Sequence, residues 1–152
     1  MIIAMSIGNT NFVLGTKENS HMSVTRYPVE FIKSAEDFMK IITENTDTKK
    51  VSGIIISSVN PKLTPWLAET VKIIFSLSPV IVDSSMKMKL DLSLYDTKLF
   101  GSDRIAVCEA AIAKYKMPVI IFDFGTATTI NVVDSKNIFL GGSILPGISM
   151  GL

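Results

Sequence analysis

Residues 118–134, PVIIFDFGTATTINVVD, decide the fold because they repeat the pattern that opens the chain. The opening, residues 2–16, reads IIAMSIGNTNFVLGT: an apolar run, a polar turn with a glycine, and a second run. Gly125 aligns with Gly8 at a distance of 117 positions. Self-similarity of this kind predicts structural units of the same type. We therefore predict two similar halves with a cleft between them.

The order of predicted elements is that of an α/β fold, in which strands and helices alternate. Each copy of the repeat predicts two strands joined by a tight turn, followed by a third strand at 22–28 or 138–142. The other predicted elements are a helix capped by Ser34, a strand over 51–59, a helix with Thr64 as N-cap and Pro65 as first residue, a strand over 79–83, and a helix from Ser102 to about Lys116. We predict a first half over 1–98 and a second half over 99–152, which is shortened because the chain stops at Leu152.

The composition supports a folded protein and gives no sign of a nucleic-acid or membrane partner. Hydrophobic residues make up 47% of the chain, charged residues make up 19%, and the formal net charge is +1. That apolar content is enough for a core, and the small net charge gives no field that attracts nucleic acid or an anionic membrane. Cys108 is the only cysteine. We therefore expect no disulfide framework, no zinc cluster and a reducing, cytoplasmic setting.

The turn of the first copy, from Ser6 to Asn11, has the composition of a phosphate-binding loop. A glycine at a hairpin tip lets backbone N–H groups approach an anion closely. Asn9, Thr10 and Asn11 add short polar side chains. An ordinary hairpin turn has the same composition, so this motif alone leaves both interpretations open.

The second copy, from Asp123 to Thr129, carries a carboxylate at the end of an apolar strand. A buried carboxylate is costly unless it is paired or binds a cation. Asp123 is therefore a candidate metal ligand, with a hydrogen-bonded structural aspartate as the alternative. Thr126 and Thr128 lie where a second phosphate-binding hairpin would form.

The third motif, Gly101-Ser102-Asp103-Arg104, precedes and opens a predicted helix. A helix N-terminus favours anions, Asp103 has the chemistry to accept a proton from a substrate hydroxyl, and Arg104 has the geometry to hold a carboxylate or phosphate with two hydrogen bonds. A plain N-cap beside a solvated arginine is the alternative for this motif.

Together these motifs resemble those of the type III pantothenate kinase family. The resemblance covers the whole chain and rests on the order and spacing of Gly8-Asn9-Thr10, Gly101 to Arg104, Asp123 to Thr128, Leu140-Gly141-Gly142 and Pro146-Gly147-Ile148. That family belongs to the superfamily of sugar kinases, actin and heat-shock chaperones. The resemblance therefore implies a duplicated ribonuclease-H-like, actin-like ATPase fold with a complete first half and a truncated second half.

The resemblance also implies a reaction, which is the ATP-dependent phosphorylation of pantothenate to 4'-phosphopantothenate, the first step of coenzyme A biosynthesis. The residues implied to bind ATP are Ser6, Ile7, Gly8, Asn9, Thr10, Asn11, Phe12, Val13 and Thr126. The residues implied to bind pantothenate are Tyr95, Gly101, Ser102, Asp103 and Arg104, with Asp103 as the general base. Asp123 is implied to hold a monovalent cation, potassium or ammonium, while Mg²⁺ accompanies ATP. Full-length members are expected to form homodimers.

The chain departs from the family pattern in three ways. Ser6 stands where the family has an aspartate near the magnesium ion, and the repeat sets Ser6 opposite Asp123. The spacing from Tyr95 to Asp103 is one residue short, and the family's C-terminal segment is absent from the sequence. Two alternatives therefore stand beside the kinase: a non-catalytic relative that binds a nucleotide or a partner, and an inactive fragment with an exposed hydrophobic interface.

Overall fold

A computed structural model describes residues 1–97 and 100–148. They form two compact units, Met1–Val82 and a second unit that begins at Asp83. The predicted boundary between residues 98 and 99 lies outside the described residues, so the assignment of the two halves stays a prediction.

The first unit, unit 1, contains a five-stranded sheet and two helices. Its elements are β1 (Ile2–Ile7), β2 (Asn11–Glu18), β3 (His21–Pro28), α1 (Ala35–Asn45), β4 (Gly53–Ser58), α2 (Leu63–Phe75) and β5 (Val80–Ile81). The strand order is β3-β2-β1-β4-β5. The first three strands are antiparallel neighbours, whereas β4 and β5 extend the sheet in parallel from β1. This is the predicted ribonuclease-H-like α/β arrangement.

The core of unit 1 lies between one face of this sheet and the two helices. Successive side chains of a strand point to opposite faces, so Ile3, Met5 and Ile7 of β1 share the buried face. Phe38 of α1 and Leu67 of α2 belong to the same cluster. Burial of each such side chain stabilises the fold by roughly 1.5–3 kcal/mol before its entropy loss is counted.

The two helices of unit 1 begin differently from one another. The backbone N–H of Ser34 donates to Asp37 Oδ2 at 3.0 Å, which confirms the predicted start of α1. The prediction that Thr64 caps α2 is wrong, because the helix begins at Leu63. The side chain of Asn60 instead accepts hydrogen bonds at 3.2 Å from the N–H groups of Lys62 and Leu63.

The second unit, unit 2, contains a helix and a three-stranded sheet. Its elements are α3 (Ser102–Lys114), β6 (Val119–Phe124), β7 (Ala127–Val133) and β8 (Phe139–Pro146). The strands are antiparallel in the order β6-β7-β8, and α3 packs against β6 and β7. The helix ends two residues before the predicted Lys116.

The predicted internal repeat is confirmed by the pairing of the strands. Both tight turns are closed by the same kind of bond, from Gly8 N to Asn11 O at 2.9 Å and from Gly125 N to Ala127 O at 3.1 Å. Four residues separate the paired Ile7 and Phe12, but three separate Phe124 and Thr128. The second turn is therefore one residue shorter.

The third strands also match. Pro28 ends β3 opposite Asn11, and Pro146 ends β8 opposite Ala127. The next residue then bonds back to each turn: Val29 N donates to Thr10 O at 2.8 Å, and Gly147 N donates to Thr126 O at 3.1 Å. The likeness therefore extends over all three strands, beyond the glycine motif that revealed it.

Within the described ranges, no helix is long and apolar enough to cross a membrane.

Candidate functional site

The predicted Gly101–Arg104 motif begins α3. Gly101 has extended backbone angles, and its carbonyl accepts bonds from Arg104 N at 3.1 Å and Ile105 N at 3.2 Å. Ser102 is the first helical residue and is buried, so it does not occupy the N-cap position. Asp103 is exposed in the first turn, and its Oδ1 accepts from the N–H of Arg104 at 2.8 Å. The second carboxylate oxygen is thus available at a helix end that favours negative charge.

The guanidinium of Arg104 is held in place by unit 2. Its Nε donates to Oδ1 of Asn131 on β7 at 2.7 Å. Its carbon Cζ lies over two aromatic rings, 4.7 Å from the centroid of Phe100 and 5.2 Å from that of Phe139. Among the described residues, the buried Nη2 has no hydrogen-bond partner. Arg104 is thus a permanent cation held in a fixed position, and guanidinium groups of this kind suit a carboxylate or a phosphate.

Gly142 of β8 makes room for this arginine. A Cβ at that position would overlap the carbonyl of Ile130 and would lie 2.8 Å from Arg104 Nη2. The glycine is therefore required by the packing of unit 2. By contrast, a Cβ at Gly8 would lie 3.5 Å from Asn11 O, which is an ordinary contact.

Tyr95 lies beside the same pair of rings. Its ring is edge-on to Phe139 at 4.9 Å and to Phe100 at 6.1 Å between centroids. The structure thus brings the predicted pantothenate residues Tyr95 and Arg104 to a common aromatic cluster, despite the one-residue departure in spacing. An open groove of about 620 Å³ also includes Tyr95 in its lining, together with the 84–93 connection.

A polar track runs along β7 from Arg104 toward Asp123. Asn131 Nδ2 donates to Thr129 Oγ1 at 3.2 Å, and Thr129 lies directly opposite Asp123 in the ladder. Cross-strand partners of this kind have Cβ atoms about 4.5–5.5 Å apart. The candidate substrate-binding arginine therefore contacts the same face of the sheet that carries the candidate cation ligand.

Asp123 was selected as a metal ligand because its carboxylate was expected to be buried, and that expectation is wrong. Its role as a ligand stays a prediction. We expected a buried carboxylate, but Asp123 is exposed, so no burial cost demands a cation. No group of three or more His, Cys, Asp or Glu side chains with the geometry of a metal site occurs in the parts of the chain that the structure describes. These residues do not form a protein cage for Mg²⁺, whose usual ligands include substrate phosphates and water.

The candidate ATP loop of unit 1 divides into exposed and buried residues. Asn9 and Thr10 are exposed at the tip. Ile7 and Phe12 are buried in the core, so only their backbone groups are available to a nucleotide. Ser6 and Val13 form a cross-strand pair on the opposite face and are half-buried. In unit 2 the predicted Thr126 is exposed at the equivalent turn.

Three residues that the sequence analysis did not select contribute to the arginine site: Phe100, Asn131 and Phe139. Asn131 is fully buried. An amide among the apolar residues of INVV was a usable signal, because a buried amide requires hydrogen-bond partners. No comparable signal marked the two phenylalanines.

Comparisons with known proteins agree with the motifs. A family model described as type III pantothenate kinase matches residues 2–152. A curated type III pantothenate kinase of Exiguobacterium sp. strain AT1b is 34% identical over 158 residues, which cover 100% of this chain and 62% of that protein. The chain therefore spans less than two thirds of the length of this relative.

Solved structures also resemble the chain. Two solved structures described as Ppx/GppA family members of Aquifex aeolicus, one of them as the type II variant of the phosphatase, have TM-scores of 0.49 and 0.48 and sequence identities of 13% and 15%. Each match covers 97% of this chain and about half of the other one, at 53% and 52%.

Proposed function

The chain belongs to the type III pantothenate kinase family, and we propose that it transfers the γ-phosphoryl group of ATP to the primary hydroxyl of pantothenate. The observation that carries this proposal is the positioned guanidinium of Arg104 beside the exposed carboxylate of Asp103. One group suits an anionic substrate, and the other suits proton transfer from a hydroxyl.

In the proposed reaction, Arg104 and the N-terminus of α3 hold pantothenate, and Tyr95 lines its binding site. Asp103 accepts the hydroxyl proton as the oxygen attacks the γ-phosphorus, and the bond to the β-phosphate oxygen breaks to release ADP. Catalysis of phosphoryl transfer depends mainly on positioning and charge neutralisation. The rigid placement of Arg104 by Asn131 and two rings supports that mode of action.

The turns at Gly8 and Gly125 are proposed to bind phosphate groups of ATP. The tip of the first turn is exposed, and its glycine is not required by local packing, since a Cβ there meets only Asn11 O at 3.5 Å. A glycine that the fold itself does not need is consistent with close approach of a ligand. Asp123, with Thr129 opposite, would hold potassium or ammonium. Mg²⁺ would accompany the ATP phosphates and supply charge neutralisation. A homodimer and a cytoplasmic location remain predictions.

A radiometric assay with labelled pantothenate tests the proposal on the full chain. We expect Asp103→Asn to lower turnover by about 10²–10⁴-fold, as is typical for loss of a general base. Glu44→Gln removes an exposed carboxylate on α1 and is the matched control, with unchanged turnover. Equal rates for wild type and Asp103→Asn would remove Asp103 from the mechanism.

A non-catalytic nucleotide-binding relative is the second candidate, and Ser6 favours it. A serine hydroxyl at that position brings no charge to a divalent cation. Calorimetric binding of ATP by a chain that shows no turnover of pantothenate would support this candidate over the kinase.

A further inference from the structure

Asn131 on β7 is a fully buried amide whose two polar groups are both hydrogen-bonded to side chains. Its Oδ1 accepts from Arg104 Nε at 2.7 Å, and its Nδ2 donates to Thr129 Oγ1 at 3.2 Å. A guanidinium group can only donate, so the amide oxygen has to face Arg104 and the amide nitrogen has to face Thr129. The arginine therefore fixes which way this amide is turned.

The β-sheet itself does not require an amide at this position. Val133 is the next residue of β7 on the same face, and it is apolar and fully buried. A buried amide is costly unless it is hydrogen-bonded, and Asn131 meets that requirement through Arg104 and Thr129 rather than through the backbone. The identity of residue 131 is thus matched to the arginine and not to the strand.

The groups around Arg104 hold its guanidinium without pairing its charge. The rings of Phe100 and Phe139 lie 4.7 and 5.2 Å from its Cζ, and aromatic rings attract a cation although they carry no net charge. The ion pairs between described residues both involve Lys50, so Arg104 has no carboxylate partner among them. A neutral acceptor therefore supplies orientation and leaves the charge for a ligand.

We propose that Asn131 is a positioning residue for phosphoryl transfer, in that its amide oxygen fixes the orientation in which the guanidinium of Arg104 meets the anionic group of the substrate. This inference rests on the proposed function, since it takes the ligand of Arg104 to be the anionic substrate. Orientation matters because a displacement of about 1 Å in a substrate-positioning group can lower turnover by about 10²-fold.

The first measurement asks whether Asn131 holds the guanidinium in the full chain. Arg26 and Arg104 are the arginines of the sequence, so nitrogen-15 NMR resolves their Nε–H signals, and the exposed Arg26 is an internal reference. We expect hydrogen exchange at Arg104 Nε to be at least about tenfold slower than at Arg26, because the bond to Asn131 protects it. Asn131→Leu removes the acceptor at similar volume and should abolish most of this difference.

Asn131→Asp is the conservative variant, because it keeps the shape of the side chain and an oxygen acceptor for Arg104. Exchange at Arg104 Nε should stay slow in this variant, since a carboxylate strengthens the hydrogen bond. Turnover should fall less than in Asn131→Leu, because the orientation is kept while the added charge offsets part of the attraction to the substrate. Circular dichroism checks that both variants fold.

The second measurement asks whether Asn131 acts on the substrate through Arg104. In a radiometric assay with labelled pantothenate, we expect Asn131→Leu to raise KM by roughly 10–100-fold, the effect of losing one hydrogen bond to a charged group, with a smaller change in kcat. In an Arg104→Met background the same substitution should change KM by less than about threefold, because the group that Asn131 orients is gone.

Ala111→Gly is the control for loss of stability. Ala111 is buried in the last turn of α3, and glycine destabilises a helix without removing a polar group. We expect this variant to change both KM and the exchange at Arg104 Nε by less than about threefold, within the spread of an unrelated substitution.

Four results would overturn the inference. They are unchanged exchange at Arg104 Nε in Asn131→Leu, a KM effect that persists in the Arg104→Met background, an equal effect of Ala111→Gly, and an Asn131→Asp variant as impaired as Asn131→Leu. The second and third results would assign Asn131 to the stability of unit 2 alone.

Calorimetry separates this inference from the kinase proposal if the wild-type chain shows no turnover. The probes are pantothenate and inorganic phosphate, titrated into the wild type and the same variants. Binding of either anion that is weakened by Asn131→Leu, but not further weakened in the Arg104→Met background, would refute the kinase reaction and support the role of Asn131. Binding of neither anion would overturn both.

Discussion

The strands β1 to β3 and β6 to β8 pair in the same way, but the side chains on one face of the sheet differ in charge and polarity between the two units. Where unit 2 has Asp123 and Asn131, unit 1 has Ser6 and Gly15. The glycine of the corresponding cross-strand pair also lies on a different strand in each unit. Gly15 opposes Val24 in unit 1, whereas Asn131 opposes Gly142 in unit 2. The comparison shows that the strand pairing is the same in both units while the glycine lies on a different strand, and that only in unit 2 does the glycine make room for a neighbouring side chain, Arg104.

The largest expected effect tests the burial difference between the units. We expect Met5→Ala to lower the free energy of unfolding of unit 1 by roughly 2–5 kcal/mol, because it leaves a cavity in a packed core. Phe122→Ala, at the equivalent position of unit 2, should cost less than about 1 kcal/mol, since Phe122 is 54% exposed. Urea titration followed by Trp66 fluorescence reports unit 1, and hydrogen exchange of β7 reports unit 2. Similar costs at both positions would mean that the side of β6 that carries Phe122 is covered in solution.

The next effect tests the exchanged glycine. Gly142→Ala places a Cβ against Ile130 O and Arg104 Nη2, so we expect a loss of about 1–3 kcal/mol from unit 2. Val24→Ala changes the equivalent, exposed position of β3 and should cost less than about 1 kcal/mol. Hydrogen exchange of the sheet amides measures both. A negligible cost at Gly142 would show that the arginine has room to move.

A smaller effect concerns the pair Ser6 and Asp123. We expect Ser6→Asp to tighten binding of magnesium–ATP by up to about tenfold, equivalent to ~1.4 kcal/mol, because magnesium favours charged oxygen ligands. Binding of ATP without the metal should not tighten. Calorimetry on the wild type and the variant, each with and without magnesium, gives the four dissociation constants for ATP that are compared. Equal metal-dependent affinities would end the analogy between the two positions.

The smallest effect on stability near neutral pH concerns Cys108 of α3. Burial raises the pKa of this thiol to about 11 from 9.0. The folded state therefore holds the proton more tightly, so this contribution to stability is complete below about pH 9 and is lost as the pH rises toward 11. We expect alkylation by iodoacetamide at pH 8 to be at least tenfold slower in the native chain than in urea, because the thiolate is the reactive form. Equal rates would mean that α3 does not stay packed on β6 and β7.

The sequence predicted the repeated strands well because their apolar runs are bounded by glycine turns, which are local signals. The start of α2 was predicted wrongly for a physical reason. Thr-Pro is a good local start signal, but Asn60 lies earlier and its side chain reaches two backbone N–H groups. Competition between two such caps is decided by geometry that the sequence pattern does not contain.

The candidate site was predictable in its motifs but not in its supports. Gly101 to Arg104 and Asp123 were each recognised from the residues next to them in the sequence. The contact between Arg104 and Asn131 joins residues 27 positions apart, so it depends on how α3 packs on β7. The exposure of Asp123 is also a tertiary property, since an apolar strand is buried only where something covers it.

The sheet of unit 1 combines antiparallel and parallel pairs, and these two kinds of pair can form at different times during synthesis. The hairpins of β1 to β3 join neighbours in sequence and close within about 1–10 μs. The parallel pairing of β1 with β4 joins Ile2 to Gly53, so β4 has to leave the ribosome first. At a synthesis rate of roughly 5–20 residues per second, the edge of β1 waits on the order of 3–10 s for that partner. During this interval its apolar residues are exposed to other nascent chains, so a slower rate of translation lengthens the period in which misassembly competes with folding.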